Sequence, residues 1–192
     1  MDKLVTRSTV SSQFVDANIF PVHASSLQIS ELPLGGIIRI QGSSKDAAFR
    51  SAVKAALAVD VPPPENSTSS ADVRLAWAGP NEFLCFCPLA TEMKYEQRLS
   101  RALVGHFATV TLVSDSRLGL QITGTQAASF LSKGCAIDLH AASFGIGHTV
   151  TTRFAGLPAM LLRDEDGYVI YFDIGYVEFL MKWVVDGAEE FL

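Results

Sequence analysis

Charge is what this 192-residue sequence has least of. Charged residues make up 18% of it, against about 25% in a typical globular chain. Hydrophobic residues make up 48%, and the mean hydropathy is positive at +0.26. Long apolar runs are nevertheless missing. The greasy stretches are short and broken by Gly, Pro or charge, so none approaches the roughly 20 residues that a bilayer-spanning helix needs. A Lys/Arg-rich tract is missing too, and the formal net charge is −5. Both features exclude the electrostatic footprint of a nucleic-acid binder and of a polybasic membrane-surface segment. Apolar surplus without a membrane segment implies surface that faces another protein. A monomer soluble at high concentration would contradict that expectation.

Cysteine is scarce. Cys85, Cys87 and Cys135 cannot all pair within one chain. Cys85 and Cys87 stand two apart on an expected strand and point to one face, where a disulfide between them would be strained. The first twenty residues contain no run of signal-peptide length and carry Asp2 and Asp16. Reduced thiols in a cytoplasmic protein are the expectation. The sequon Asn66-Ser67-Thr68 then reads as a chance match.

Catalytic and metal-binding patterns are equally thin. Ser114-Asp115-Ser116-Arg117 resembles a reactive cluster, but a Ser nucleophile needs a His base held by a third group. Nothing in the spacing brings His23, His106, His140 or His148 to it. A turn whose short polar side chains bond backbone N–H groups is the simpler reading. Structural zinc shows paired ligands two to four residues apart. Cys85-Phe86-Cys87 has one residue between its thiols, and Cys135 has no near partner. Gly145-Ile146-Gly147-His148 lacks the third Gly and the following helix of a phosphate loop. Asp164-Glu165-Asp166-Gly167 lacks the distal Glu and flanking helices of a calcium loop and reads as a hairpin turn.

What is present is a regular alternation of strand and helix patterns. Residues 1–26 show no period and suggest an extended arm, followed by a single domain over residues 27–192. A short strand is expected at 27–30, then a strand at 37–41 ended by Gly42. Ser43 or Ser44 can cap a helix over 46–58, with Phe49, Val53, Ala56 and Leu57 at helical spacing. Prolines then open the most loop-like tract, at 61–70. Strands at 73–77 and 83–87 flank a Gly-Pro-Asn turn. Thr91 can cap a helix to residue 104, and a strand follows at 108–114. The first half thus reads βαββαβ, the split-βαβ order. The second half reads βαβββα: a strand at 118–123, a short helix at 126–132 closed by Gly134, strands at 149–154, 159–163 and 168–172, and a last helix over 175–188. Apolar positions of that last helix span roughly 240°, against the ≳ 100° that a surface helix needs. Tyr176, Leu180, Trp183, Val184 and Gly187 share one face, with Val177, Met181 and Val185 beside them. Either the helix is deeply buried in its own domain or one flank meets another chain.

The run SDSRLGLQITGTQAASFLSKGCAIDLH, the later DGYVIYF and the closing YVEFLMKWVVDGAEEF resemble the gamma-subunit family of heterotetrameric sarcosine oxidase. LQISELPLGGIIRIQG and LAWAGPNEFLCFCP fit the same family, and the resemblance covers roughly residues 27–191. It implies an α+β fold like the folate-binding domain of the glycine-cleavage T-protein. In that relative a carboxylate ahead of a strand assists folate chemistry. The matching place here holds Leu157-Pro158, which implies that this chain does not run the folate reaction. One departure stands out: Ile174-Gly175-Tyr176-Val177 replaces an Arg-Ser-Phe-Ala-like opening to the last helix.

The resemblance implies a non-catalytic, structural subunit of a flavin-dependent oxidase. The complex would convert sarcosine to glycine, hydrogen peroxide and a one-carbon unit for tetrahydrofolate. Related complexes oxidise other N-methylated amino acids, so the substrate stays open. FAD, FMN, NAD and zinc are implied on partner subunits, none on this chain. The implied partners are the alpha and beta subunits, with the delta subunit as a further candidate. The expected contacts are the turn bearing Asp115 and Arg117 and the flank bearing Val177, Met181 and Val185, with the arm. A free-standing folate-binding or one-carbon transferase domain of T-protein type is the alternative, and a plain self-associating domain is a third.

Overall fold

A computed structural model of the chain describes Val10 and residues 20–192. Its strands are β1 (Val22–His23), β2 (Gln28–Glu31), β3 (Gly36–Gln41), β4 (Ser67–Ser69), β5 (Arg74–Gly79), β6 (Glu82–Cys87), β7 (Thr109–Leu112), β8 (Arg117–Thr123), β9 (Thr149–Phe154), β10 (Leu157–Asp164) and β11 (Gly167–Asp173). Its helices are α1 (Ala47–Leu57), α2 (Glu92–Ala102), α3 (Ala127–Ser132) and α4 (Val177–Ala188). The residues gather into two compact units. One holds Gly35–Asp115 and Gly147–Thr151; the other holds the described residues up to Leu34, Ser116–Ile146 and Thr152–Leu192.

The unit built on Gly35–Asp115 is an antiparallel sheet in the order β4-β5-β6-β3-β7. Apart from β4, its four strands have the split-βαβ order expected from the sequence. Period-two alternation along the strands turns Ile38, Ile40, Leu75, Phe83 and Cys85 toward the helices. There they join Phe49, Val53 and Leu57 of α1 and Tyr95 and Leu99 of α2 in one buried cluster. The rings of Phe49 and Phe83 lie 6.2 Å apart. The Phe49 ring occupies the space that a side chain at position 42 would need, which is why Gly42 ends β3.

Three local features differ from the sequence expectation. Asp46 caps α1, its Oδ1 accepting from Ala48 N at 2.8 Å. Ser43, expected as a cap, instead accepts from Lys45 N at 3.3 Å. Thr91 does not cap α2; its hydroxyl donates to the Pro88 carbonyl at 3.0 Å. Third, the Pro-rich tract contains a strand. β4 pairs Ser67 with Ala76 and Ser69 with Arg74. Its Ser/Thr composition hid it from a hydrophobic pattern, and side-chain bonds hold it. Thr68 Oγ1 donates to Asp60 O at 2.5 Å and Ser67 Oγ to Gly147 O at 2.9 Å.

In the other unit, β8, α3, β9, β10, β11 and α4 follow in the expected order, and the sheet runs β1-β2-β8-β11-β10-β9. β2 adds to β8 through Gln28–Thr123 and Ile29–Ile122, and β1 adds to β2. Of the arm expected over residues 1–26, residues 1–9 and 11–19 lie outside the described residues. Of the rest, Val22–His23 form the edge strand β1, with Phe20 and Val22 buried. The helix side of the core is aromatic. Phe130 of α3 sits 6.1 Å from Phe154 of β9 and 5.9 Å from Trp183 of α4, and Phe154 meets Trp183 at 4.7 Å and Phe172 of β11 at 5.7 Å.

Both faces of each sheet bury apolar side chains. β10 and β11 carry Leu161 and Ile170 on one face and Met160, Leu162 and Val169 on the other, all buried. β3, β5 and β6 likewise bury Ile37, Ala76 and Leu84 on the face away from α1 and α2. Strands buried on both faces read as near-continuous apolar runs. Part of the positive hydropathy is therefore used inside the chain. The same holds for α4, where Val177, Leu180, Met181, Val184 and Gly187 are buried.

Met181 is fully buried, whereas Phe179 on the same helix is 52% exposed. Met181→Asp places a carboxylate without a partner in the core and is expected to lower unfolding free energy by about 3 kcal/mol or more. Phe179→Asp is expected to change it by about 0.5 kcal/mol or less. Asp46→Ala, which removes the α1 cap, is expected to cost about 1 kcal/mol. Urea unfolding of the isolated chain checks all three; equal effects of the first two would contradict the placement of α4.

Candidate functional site

The Ser114–Ser116 segment forms a 3-10 turn between β7 and β8. Ser114 is held from three sides. Its Oγ accepts from Ile37 N at 2.8 Å, lies 3.3 Å from Ile37 O and donates to Glu92 Oε2 at 2.6 Å. A hydroxyl engaged in this way ties β3 to the start of α2, with a carboxylate rather than a histidine as its acceptor. Asp115 is exposed. Arg117 is half-buried, opposite Asp173 in the β8–β11 ladder, and its Nε is buried with no hydrogen-bond partner among the described residues.

Cys85 and Cys87 share this corner. Both are free and buried, and they lie on the helix-facing side of β6. A Cβ added at Gly36 would come within 2.5 Å of Glu92 Cβ and 2.8 Å of Cys87 Sγ. Glycine at position 36 is thus what lets β3 approach α2 so closely. The Cys85 thiol is pushed up because it hydrogen-bonds to Cys87 and is buried. Cys87 is lowered by that same bond, against burial and the nearby Glu92 charge. This makes Cys87 the more reactive of the pair.

The KGC…DLH block has a structural explanation. Lys133 Nζ donates to Gly187 O at 2.8 Å and pairs with Glu190 at 3.1 Å, so a cation sits at the negative end of α4. A Cβ on Gly134 would meet Trp183 Cη2 at 2.9 Å and Phe154 Cε2 at 3.0 Å. Cys135 is buried beneath. Asp138 closes a loop, its carboxylate accepting from His140 N at 2.9 Å and Ser143 Oγ at 2.6 Å. The Ser143 hydroxyl, then the His140 N–H, hold that carboxyl below its ordinary value. Tyr168 OH donates to Leu139 O at 3.3 Å, with the Arg163 guanidinium 4.4 Å above its ring.

The remaining motifs are also structural. Gly147 O accepts from both N and Oγ of Ser67, and the segment runs into strand β9, so no helix N-terminus stands behind it. Asp164 and Gly167 face each other across the β10–β11 turn. Leu157 and Pro158 open β10 with no carboxylate at that place. Among the described residues no group of three His, Cys, Asp or Glu is arranged to hold a metal.

The proposed contact positions divide. Val177 and Met181 are buried within their own unit, Val185 is half-buried, and Asp115 is exposed. Sequence reasoning passed over the most exposed apolar residues. Phe107 is fully exposed at 103% and Val104 is 78% exposed, both in the connection from α2 to β7. Phe107 has only one strand-like neighbour and no periodic partner, so the sequence gives no sign of which way it points.

Over residues 41–190 the sequence matches the family described as "Sarcosine oxidase, gamma subunit family". The sarcosine oxidase subunit gamma of Corynebacterium sp. (strain P-1) is 31% identical over 172 residues, covering 88% of this chain and 83% of that protein. That of Arthrobacter sp. is 29% identical over 157 residues, covering 81% and 75%. A chain of the heterotetrameric sarcosine oxidase from Corynebacterium sp. U-96, solved in complex with pyrrole 2-carboxylate, has the same fold. The TM-score is 0.86 at 24% identity, over 97% of this chain and 96% of that one. The glycine cleavage system aminomethyltransferase T from Bartonella henselae shares the fold at a TM-score of 0.60 and 13% identity, over 84% of this chain and 46% of that one.

Alkylation with iodoacetamide is expected to modify Cys87 before Cys85, followed by mass spectrometry of the digested chain. The depressed Asp138 value contributes stability above the unfolded carboxyl value, and that contribution is lost as pH falls through the folded value. Ser143→Ala is therefore expected to move the Asp138 titration upward. A carboxyl NMR titration unchanged by the substitution would contradict the assignment.

Proposed function

The chain belongs to the gamma-subunit family of sarcosine oxidase, and from that premise we propose that it is a non-catalytic assembly subunit of a heterotetrameric flavin amine oxidase. The complex demethylates sarcosine oxidatively to glycine and passes the one-carbon unit to tetrahydrofolate, in the cytoplasm. The alpha and beta subunits, and the delta subunit as a further neighbour, carry FAD, FMN, NAD and zinc. Family membership carries this reading. Two features of the site support it. Ser114, which heads the one reactive-looking cluster, is engaged in bonds that hold β3 to α2, and the polar groups of Lys133 and Asp138 close a helix end and a loop. The place where T-protein chemistry would need a carboxylate holds Leu157 and Pro158.

Asp115 and Arg117 in the turn and Val185 on α4 are proposed contacts with those subunits. Val177 and Met181 act one layer down, by fixing α4 beneath its exposed flank. The free-standing folate-binding domain remains the competing class. It shares the fold, but the 31% identity to a gamma subunit over most of the chain favours assembly over independent transfer.

Co-expression with the other oxidase subunits tests the proposal. The chain is expected to elute with them in one yellow flavoprotein. Ser114→Ala and Asp138→Asn are expected to leave kcat per assembled flavin within about twofold, because neither group touches reacting atoms. Tight tetrahydrofolate binding and transferase activity by the isolated chain would overturn the proposal in favour of the competing class.

A further inference from the structure

The exposed side of α2 and the connection that follows it differ from the rest of the described surface. Lys94, Arg98 and Arg101 recur along one face of α2, four and three residues apart, and all three are exposed. Among the described residues none of the three makes an ion pair, whereas Lys54, Lys133 and Lys182 each do. Glu96, the acidic neighbour on the helix, accepts from Ser100 Oγ at 2.7 Å. Lys94 and Arg98 lie 5.8 and 6.0 Å from the Tyr95 ring, and a basic stripe with no ion-pair partner among the described residues runs against the net charge of −5.

The stripe leads directly to Val104 and Phe107, the two most exposed large hydrophobic residues among those described. The phenyl group is held out by a tight backbone. Gly105 takes φ +82°, His106 N donates to Leu103 O at 3.1 Å, and Ala108 N donates to His106 O at 2.9 Å. Beside it lies an open hollow of about 480 Å³ lined by Gly42, Pro80, Asn81 and His106, with Phe107 as one wall. A fixed aromatic knob next to a hollow, flanked by cations, has the layout of a protein–protein contact with an apolar centre and a charged rim. Charge complementarity selects the occupant.

We propose that this face docks an acidic-rimmed apolar surface of another subunit of the oxidase. That surface receives Phe107 in a pocket, places an apolar side chain in the hollow and pairs carboxylates with Lys94, Arg98 and Arg101. This rests on the gamma-subunit reading and adds the surface and its chemistry. The rim charges speed and orient encounter, and the phenyl group sets the lifetime of the contact.

The test uses the full chain co-expressed with the remaining oxidase subunits. Phe107→Ser and the pair Arg98→Glu with Arg101→Glu are compared with wild type. All substituted side chains are exposed, and unchanged melting of each isolated variant confirms its fold. Phe107→Ser is expected to weaken assembly at least tenfold, mainly through faster dissociation. The charge reversal is expected to slow association and flatten its dependence on salt. Assembly of both variants at wild-type strength would overturn this proposal while leaving the gamma-subunit reading intact. Failure of the wild type itself to assemble would overturn that reading and this proposal together. Concentration-dependent dimerisation of the isolated chain, abolished by Phe107→Ser, would assign the face to a second copy and overturn the proposal.

Discussion

In each unit of this fold a glycine lets a side chain of another element come up against the backbone. At Gly36, the start of α2 comes so near β3 that any Cβ would collide with Glu92 and Cys87. At Gly134, the Trp183 indole and the Phe154 ring fill the space that a Cβ would take. Close-packed interiors transmit such constraints, since neither contact can be relieved without moving an element. In each half a polar bond locks the approach: Glu92 with Ser114 in one, Lys133 with the α4 C-terminus in the other. Ser114, which looks reactive in the sequence, is one of the residues that hold these approaches closed.

That accounts in structural terms for polar residues of the Ser114–His140 run. Ser114 beside Asp115 and Arg117 suggests chemistry when read linearly. In three dimensions Ser114 bridges strand to helix, Lys133 closes a helix end, and Asp138 closes its own loop. The fold is shared with an aminomethyltransferase, and a shared fold does not fix function.

Most of the architecture was legible because periodicity reports it directly. α1, α2 and α4 showed apolar repeats at three and four residues, and the β10–β11 hairpin announced itself through Asp-Gly. What escaped had physical reasons. β4 is built of Ser and Thr and is held by hydroxyl-to-carbonyl bonds, which leave no hydrophobic signature. β1 is two residues long, too short for any period. The α1 cap fell on Asp46 rather than on the serines before it, because all three are competent and only backbone geometry selects among them. The wide apolar arc of α4 fitted two outcomes. The structure commits Met181 to the interior and leaves Phe179 outside, a distinction that angular position on a helix does not make alone.

The outer margin of β4 shows how such a chain waits for its companions. Gly147 O accepts from Ser67 N, Thr149 N donates to Glu65 O, and Asn66 bridges to His148, so the chain's own later segment runs along that margin. A strand margin left open is a template for fibrillar stacking. Covering it from within means that copies synthesised in excess of their partners meet no ready-made ladder at the β4 margin on which to polymerise. Imbalance in production among the genes of such an assembly is thereby tolerated at this margin.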